Sequence, residues 1–434
     1  MDKMADVLGR AGAWCGQNKY LSAIKNAFQN FMPLTIAGAI GVLWCNVLVN
    51  DQTGLGLFFK PIMALDFLNP AFQAVNFCTI SCITVGITLG IAQEIGVWNM
   101  GAERAGYIPG LVGLAAWLSV TNTSHMVDGA KEAFTGIAGN ELGATGLFTG
   151  MIIGVLSVEL FCFFEKQDAL KIKMPEQVPP GVARAFEVLV PATITLIITA
   201  CIGSACYNLT GLYLNDVIKN GVQGPLGAVG ATVPGVMIIY LVIMLFWLVG
   251  IHGNNMLSAV KEALFTPLAL ENVEAFNKGE TPKNIINMYF LQMCGEFGGS
   301  GVTIGLVIAI MIFGKREDNK AIATLSLVPG LFNINETVTF GIPMVLNPIL
   351  GIPFVVAPLV TIIIGYVLTV IGFCPVACLT VPWTTPPIVF GFLACGANVM
   401  GAVTQAILIV VSTVIYVPFL ISYEKYQNKQ AVEA

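Results

Sequence analysis

Three stretches of the sequence carry side chains whose types and spacing suit the binding and activation of a polar ligand. In WLVGIHGNNML, His252 stands between Gly250 and Gly253, with Trp247 ahead of it and Asn254 and Asn255 behind. An imidazole donates, accepts or carries a proton near neutral pH, and the flanking glycines let backbone approach a ligand closely. In PGLFNINETVTFGIPMVLNP, Glu336 is the only Asp, Glu, Lys or Arg between Lys320 and Glu424. Asn333, Asn335 and Thr337 flank it and supply the partners that a carboxylate removed from water requires. In TVPWTTPPIVFG, Trp383 precedes Thr384 and Thr385, and Pro386 and Pro387 stiffen the turn. The three offer a proton acceptor, an imidazole and an aromatic plate edged by hydroxyls.

Other polar residues in apolar surroundings are Glu94, Asn140, Glu141 and Glu296, the last in CGEFGGSGVTIG, whose glycines suggest close helix packing. They rank below His252 and Glu336. The only other histidine, His125, is far away in sequence and has no ligand partners near it, so no metal site is expected. Most of the eleven cysteines sit in apolar runs without paired C-x-x-C spacing and read as small buried hydrophobes. A net charge of −5 and the lack of a basic stripe with interleaved aromatics exclude a nucleic-acid partner.

The elements that must hold these residues are membrane helices. Of the 434 residues, 56% are hydrophobic and 10% charged, far from the composition of a soluble domain. Apolar segments recur from Phe31 to Tyr423, and at about 20 residues per crossing roughly eight to ten crossings fit. Candidates are Phe31 to Val49, Ala71 to Ile91, Tyr107 to Val120, Leu147 to Phe164, Leu189 to Tyr207, Val229 to Val249, Ile304 to Phe313, Phe354 to Phe373 and Pro387 to Leu420. The start, MDKMADVLGR, lacks the apolar core of a removable signal peptide. Lys and Arg cluster near Lys3, Lys166, Lys315 and Lys425, which the positive-inside rule assigns to the cytoplasm.

The stretch from Lys166 to Ala185 combines charge with Pro175, Pro179, Pro180 and Gly181 and divides the chain: 1–165, a linker over 166–185, and 186–434. Gly250 to Asn287 and Pro329 to Pro353 mix apolar residues with Asn, Glu, Gly and Pro and read as re-entrant or broken helices. Such backbone is tolerated at membrane depth only where protein or a water-filled cavity satisfies it, so the site belongs in the second half.

GIHG around His252, NINE ending at Glu336 with FGIPMVLNP after it, and VPWTTPP around Trp383 together resemble the lactose/cellobiose/diacetylchitobiose group of phosphotransferase-system enzyme IIC permeases. The resemblance covers nearly the whole chain. Two positions depart from it: Thr337 stands where many relatives have proline, and Glu296 where a neutral residue is expected. It implies an all-α polytopic fold of about ten transmembrane helices with two re-entrant hairpins, in the bacterial cytoplasmic (inner) membrane. It implies a homodimer joined through residues 1–165, a cytoplasmic amphipathic linker, and a carboxy-terminal half that binds sugar and moves to alternate access.

The function so implied is uptake of a β-linked disaccharide, cellobiose or diacetylchitobiose preferred, with its O6 hydroxyl presented to phosphorylated IIB. IIA and the general phosphocarrier act upstream as separate polypeptides, no cofactor is implied, and phosphotransferase activity belongs to the complex. Glu336 is the expected base, with His252 bonding the same hydroxyl or the incoming phosphoryl group. Trp247, Trp383, Asn254 and Asn140 are expected sugar contacts. An ion-coupled secondary transporter, with Glu336 or Glu296 carrying the ion, is the alternative. A membrane scaffold or sensor is a more distant one.

Overall fold

In the computed structural model of the chain, the described residues are 10, 13, 14, 17–51, 55–125, 134–175, 177–342 and 344–433. The charged start around Lys3 lies outside them, as does Pro343 of the FGIPMVLNP motif. Apart from one antiparallel pair, β1 (Ser124–His125) with β2 (Phe134–Thr135), the regular structure among the described residues is helical. The principal helices are α1 (Lys19–Leu43), α2 (Ile83–Met100), α3 (Ile108–Val120), α4 (Ala144–Glu165), α5 (Pro180–Thr210), α6 (Val233–Leu248) and α7 (Ser258–Asn277). They continue with α8 (Met288–Gly295), α9 (Ile304–Phe313), α10 (Glu317–Leu331), α11 (Glu336–Gly341), α12 (Gly351–Val370) and α13 (Val399–Glu433).

The all-α polytopic architecture is borne out. Among the described residues, six helices are long and apolar enough to cross a membrane, and eight if two bent pairs are each taken as one span. Crossings beyond those would have to come from shorter pieces such as α3, with 13 residues. Large apolar side chains such as Leu156 and Val410 point outward, which suits lipid rather than water. The chain divides into two compact units.

One unit comprises Gln17–Gly38 and Val75–Gly227. Here α2, α3 and α4 pack against one another, and α5 lies on α3 and α4. Glycines make the approach close: a Cβ at Gly113 would stand 2.3 Å from Ala92 Cβ, and one at Gly96 would stand 2.2 Å from Pro109 Cβ. Helices embedded in lipid gain little from hiding apolar area and associate through such tight packing. Trp117, Ile87, Ile91 and Phe161 fill the interior. Where α4 ends and α5 begins, Glu165 takes both Arg104 (2.8 Å) and Arg184 (2.9 Å), and both arginines also reach Glu187. The stretch expected to be a linker is thus tied down at its end by a four-membered charge network.

The other unit comprises Met1–Gly16, Ala39–Ala74 and Ala228–Ala434. Its helices are interrupted more often. The segment Met288–Val302 meets Ile304–Phe313 at a bend of 59°. The candidate span Pro387 to Leu420 is in fact two helices, Val389–Ala394 and α13, because the chain turns at Gly396 and Ala397, both with positive φ. Gln405 on α13 offsets the break: its Oε1 accepts the N–H groups of Ile388 and Gly391, each at 2.7 Å, and its amide donates to Met293 O at 3.1 Å. Asn287 caps α8 in the same manner, accepting from Tyr289 and Phe290 while donating to Ala377 O at 3.0 Å. Backbone freed from helices inside a membrane must find such partners.

Candidate functional site

α6 is uniformly apolar and ends at Leu248, after which Gly250 at φ +80 turns the chain. His252 then caps the short helix Gly253–Met256, its Nδ1 accepting the N–H of Asn255 at 3.3 Å. A ring nitrogen that accepts a hydrogen bond carries no proton, so the neutral imidazole holds its proton on Nε2. That nitrogen faces Glu336 Oε1 at 3.8 Å. The gap is too long for a hydrogen bond between the two, yet short enough that one hydroxyl seated there reaches both. The two side chains are 36% and 48% exposed, so a ligand has access to them.

The surroundings point to a polar ligand. Trp247 is buried against the imidazole, ring centroids 4.4 Å apart, and Phe354 meets it edge-on at 6.4 Å. Trp247 Nε1 and Asn254 Oδ1 are buried without a hydrogen-bond partner in the protein. Buried polar atoms are paired in the great majority of cases, so two orphans flanking one histidine mark a place where a ligand or water completes the bonding.

Glu336 opens α11, where its carboxylate meets the positive end of the helix. The asparagines before it are structural rather than free. Asn333, at φ +62, accepts the Gly298 N–H at 2.6 Å and donates to the carbonyls of Trp383 and Thr385. Asn335 donates to Ser300 O at 2.7 Å. Asn254 donates to Ser300 Oγ at 3.0 Å. The NINE and VPWTTPP motifs are therefore bonded to each other directly, and the GIHGNN motif joins them through Ser300. Trp383 itself remains 44% exposed.

The loop that makes these joins, Glu296 to Gly301, is the part that sequence reasoning undervalued. Its glycine density is a visible signal, and the glycines do two jobs: Gly299, at φ +89, also leaves no room for a Cβ, which would stand 2.6 Å from Asn335 Cβ. Lys261, which pairs with Glu296, was not singled out, because SAVKEALF reads as an ordinary helical turn. Asn140 belongs to the other unit, exposed on the four-residue helix Gly139–Leu142. Among the described residues His125, on β1, hydrogen-bonds its near neighbour Asn122. Among the described residues no group of three or more His, Cys, Asp or Glu could hold a metal ion.

Apolar helices long enough to cross a bilayer, broken in one unit around a converging histidine and carboxylate, define a multi-pass membrane permease. The chain belongs to the phosphotransferase system EIIC family, whose model matches residues 25–358, and so to the bacterial cytoplasmic membrane. It is 32% identical to the oligo-beta-mannoside-specific EIIC component of Bacillus subtilis, over 100% of this chain and 97% of that one. It is 30% identical to the cellobiose-specific EIIC component of Lactococcus lactis, with 98% of each covered. Its fold matches the crystal structure of ChbC, the IIC component of the N,N'-diacetylchitobiose-specific phosphotransferase system, with a TM-score of 0.88 and 30% identity over 96% of each chain. The family expected from the three motifs is borne out.

Proposed function

We propose that this chain binds a β-linked disaccharide, cellobiose or diacetylchitobiose before others, and presents its O6 hydroxyl to phosphorylated IIB. The observation that carries the reading is the 3.8 Å gap between His252 Nε2 and Glu336 Oε1, edged by the unpaired Trp247 Nε1 and Asn254 Oδ1. The relatives named for cellobiose, oligo-beta-mannoside and diacetylchitobiose support the choice of sugar class.

The sugar hydroxyl sits beside the His252–Glu336 pair, off the line joining Nε2 and Oε1 and within hydrogen-bond reach of both. As its oxygen attacks the phosphorus of the phosphocysteine on IIB, a P–O bond forms and the P–S bond breaks. The hydroxyl proton passes to the Glu336 carboxylate, and the IIB cysteine leaves as a thiolate. Little covalent chemistry is asked of the permease; alignment and removal of one proton are its share. His252 Nε2–H donates to the same oxygen or to the arriving phosphoryl group. Trp383 offers its face to the sugar rings, the buried Trp247 offers only its Nε1–H, and Asn254 offers its carbonyl. The chain works as a homodimer, which its mass in detergent would check.

The test is phosphoenolpyruvate-dependent phosphorylation of a β-disaccharide panel by the reconstituted chain with the general carriers, IIA and IIB. Glu336→Gln is expected to cut phosphorylation by roughly a hundredfold or more while sugar affinity falls far less. Equal loss of both overturns the general-base role. Uptake driven by an ion gradient, with no sugar phosphate formed, overturns the whole reading in favour of a secondary transporter.

A further inference from the structure

We infer that Lys261, Glu296 and Tyr240 form a positioning triad that sets the distance between His252 and Glu336 during phosphoryl transfer; this rests on the reading just proposed. Glu296 Oε1 takes two donors, Lys261 Nζ and, at 2.8 Å, Tyr240 OH. The three residues come from separate elements: Tyr240 from α6, seven residues before Trp247 and so near the same face, Lys261 from the first turn of α7, and Glu296 from the end of α8. The Lys261 side chain is only 8% exposed, and it stands at a helix amino terminus, where a cation is disfavoured. It is held there by its counter-ion.

The chain beyond Glu296 has little stiffness of its own, and this is why an anchor is needed: Phe297 leads into Gly298, Gly299, Ser300 and Gly301. Glu296 O accepts the Gly299 N–H at 3.0 Å and starts the turn. Gly298 then bonds Asn333, Ser300 bonds both Asn254 and Asn335, and Gly301 O accepts from Tyr416 OH at 2.8 Å. Asn254 is two residues from His252, and Asn335 is next to Glu336. This loop is thus a protein link between the two reacting side chains, beside the bond from Leu346 N–H to Leu248 O, and the Glu296 carboxylate is its one charged anchor. A shift at Glu296 passes through Ser300 to both. Glu296 is also where this chain departs from the family pattern, and Lys261 supplies the matching charge.

Removing one partner alone would leave a buried charge and threaten folding, so the decisive variant is the neutral pair Glu296→Gln with Lys261→Met, with Lys261→Arg as the conservative control. Each is purified in detergent, checked by size-exclusion profile, and assayed for sugar binding by calorimetry and for turnover with phosphorylated IIB. The neutral pair is expected to hold sugar within about threefold of the unaltered chain while turnover drops roughly tenfold to a hundredfold, the range for a misaligned reacting group. Lys261→Arg is expected to retain most of the turnover. Unchanged turnover in the neutral pair overturns the inference, since the two charges then only balance each other. Parallel loss of affinity and turnover, or loss of folding in the neutral pair, overturns it in favour of a direct sugar contact or a structural role. If the unaltered chain forms no sugar phosphate, the proposed function falls and this inference with it, whereas product from the unaltered chain and the neutral pair alike sinks the inference alone.

Discussion

The unit built on α2, α3 and α4 and the unit holding His252 and Glu336 both use glycine heavily, but for opposite ends. In the first, Gly96 and Gly113 lie inside helices, and their missing Cβ lets a neighbouring helix come to van der Waals contact. In the second, Gly299 and Gly301 carry positive φ and bend the chain between α8 and α9. The first arrangement satisfies most backbone groups within its own helices and needs few polar side chains. The second leaves backbone groups free and must satisfy them with Asn287, Asn333, Asn335 and Gln405. The cost of breaking helices in a membrane is thus visible as a set of long-range amide bonds, and what it secures is a histidine and a carboxylate facing one gap.

The largest effect that tests this contrast is expected at Gly299. In Gly299→Ala the new Cβ meets Asn335 Cβ at 2.6 Å, in a backbone conformation, φ +89 with ψ −176, that is essentially confined to glycine and costs other residues about 1–3 kcal/mol. Since Asn335 adjoins Glu336, calorimetry should show sugar binding nearly abolished even where the chain still inserts and purifies. Gly113→Ala makes a similar clash with Ala92 Cβ, yet the loss there should be in stability, about 1–3 kcal/mol, with the sugar affinity of the folded fraction unchanged. Normal sugar binding by Gly299→Ala, or loss of affinity in Gly113→Ala, would break the distinction between the two units.

A smaller effect is expected at Asn333, whose side chain bonds Gly298 N–H and the carbonyls of Trp383 and Thr385. Asn333→Ala strands these groups at about 1–3 kcal/mol for each one left dry, and water reaching the site will recover part of that. Sugar affinity should fall by roughly tenfold, and fluorescence of the half-exposed Trp383 should lose its response to sugar. An unchanged response would mean that the VPWTTPP turn holds its place without the NINE motif.

These residues also mark where sequence reading stops. His252, Glu336 and Trp383 stand out because each is polar or rigid against an apolar background, and that contrast is local. The three motifs can be named separately, but not joined, because GIHGNN meets NINE through Ser300, 46 residues from Asn254 and 35 from Asn335, and NINE meets VPWTTPP through Asn333, 50 residues from Trp383. Lys261 is silent for the same reason: a lysine in a helical turn shows its burial only once α6 and α8 are packed on it. The long apolar helices α4, α5 and α12 are legible from composition alone. The break between Val389–Ala394 and α13 is not, since Gly396 lies in a run as apolar as a continuous span. The partner that makes the break tolerable, Gln405, looks from sequence like one more polar residue inside a helix.

The smallest effect sharpens the comparison within a single helix. α7 carries Lys261 in its first turn and is followed directly by Lys278, and both pair with a glutamate. Lys278 is 58% exposed and its partner Glu274 lies one turn back on the same helix, so water screens the pair and the two long side chains lose freedom in making it. The lysine also sits at the helix carboxy terminus, where a cation is favoured without any partner. Lys278→Ala should lower the melting temperature at most slightly and only at low salt, and leave sugar affinity and turnover unchanged within error. Lys261→Ala on the same helix should lose all three, because its charge is enclosed and Glu296 would be left without it. A loss of affinity or turnover in Lys278→Ala would locate function at the far end of α7, and a silent Lys261→Ala would show that burial of a charge, here, does not signal a task.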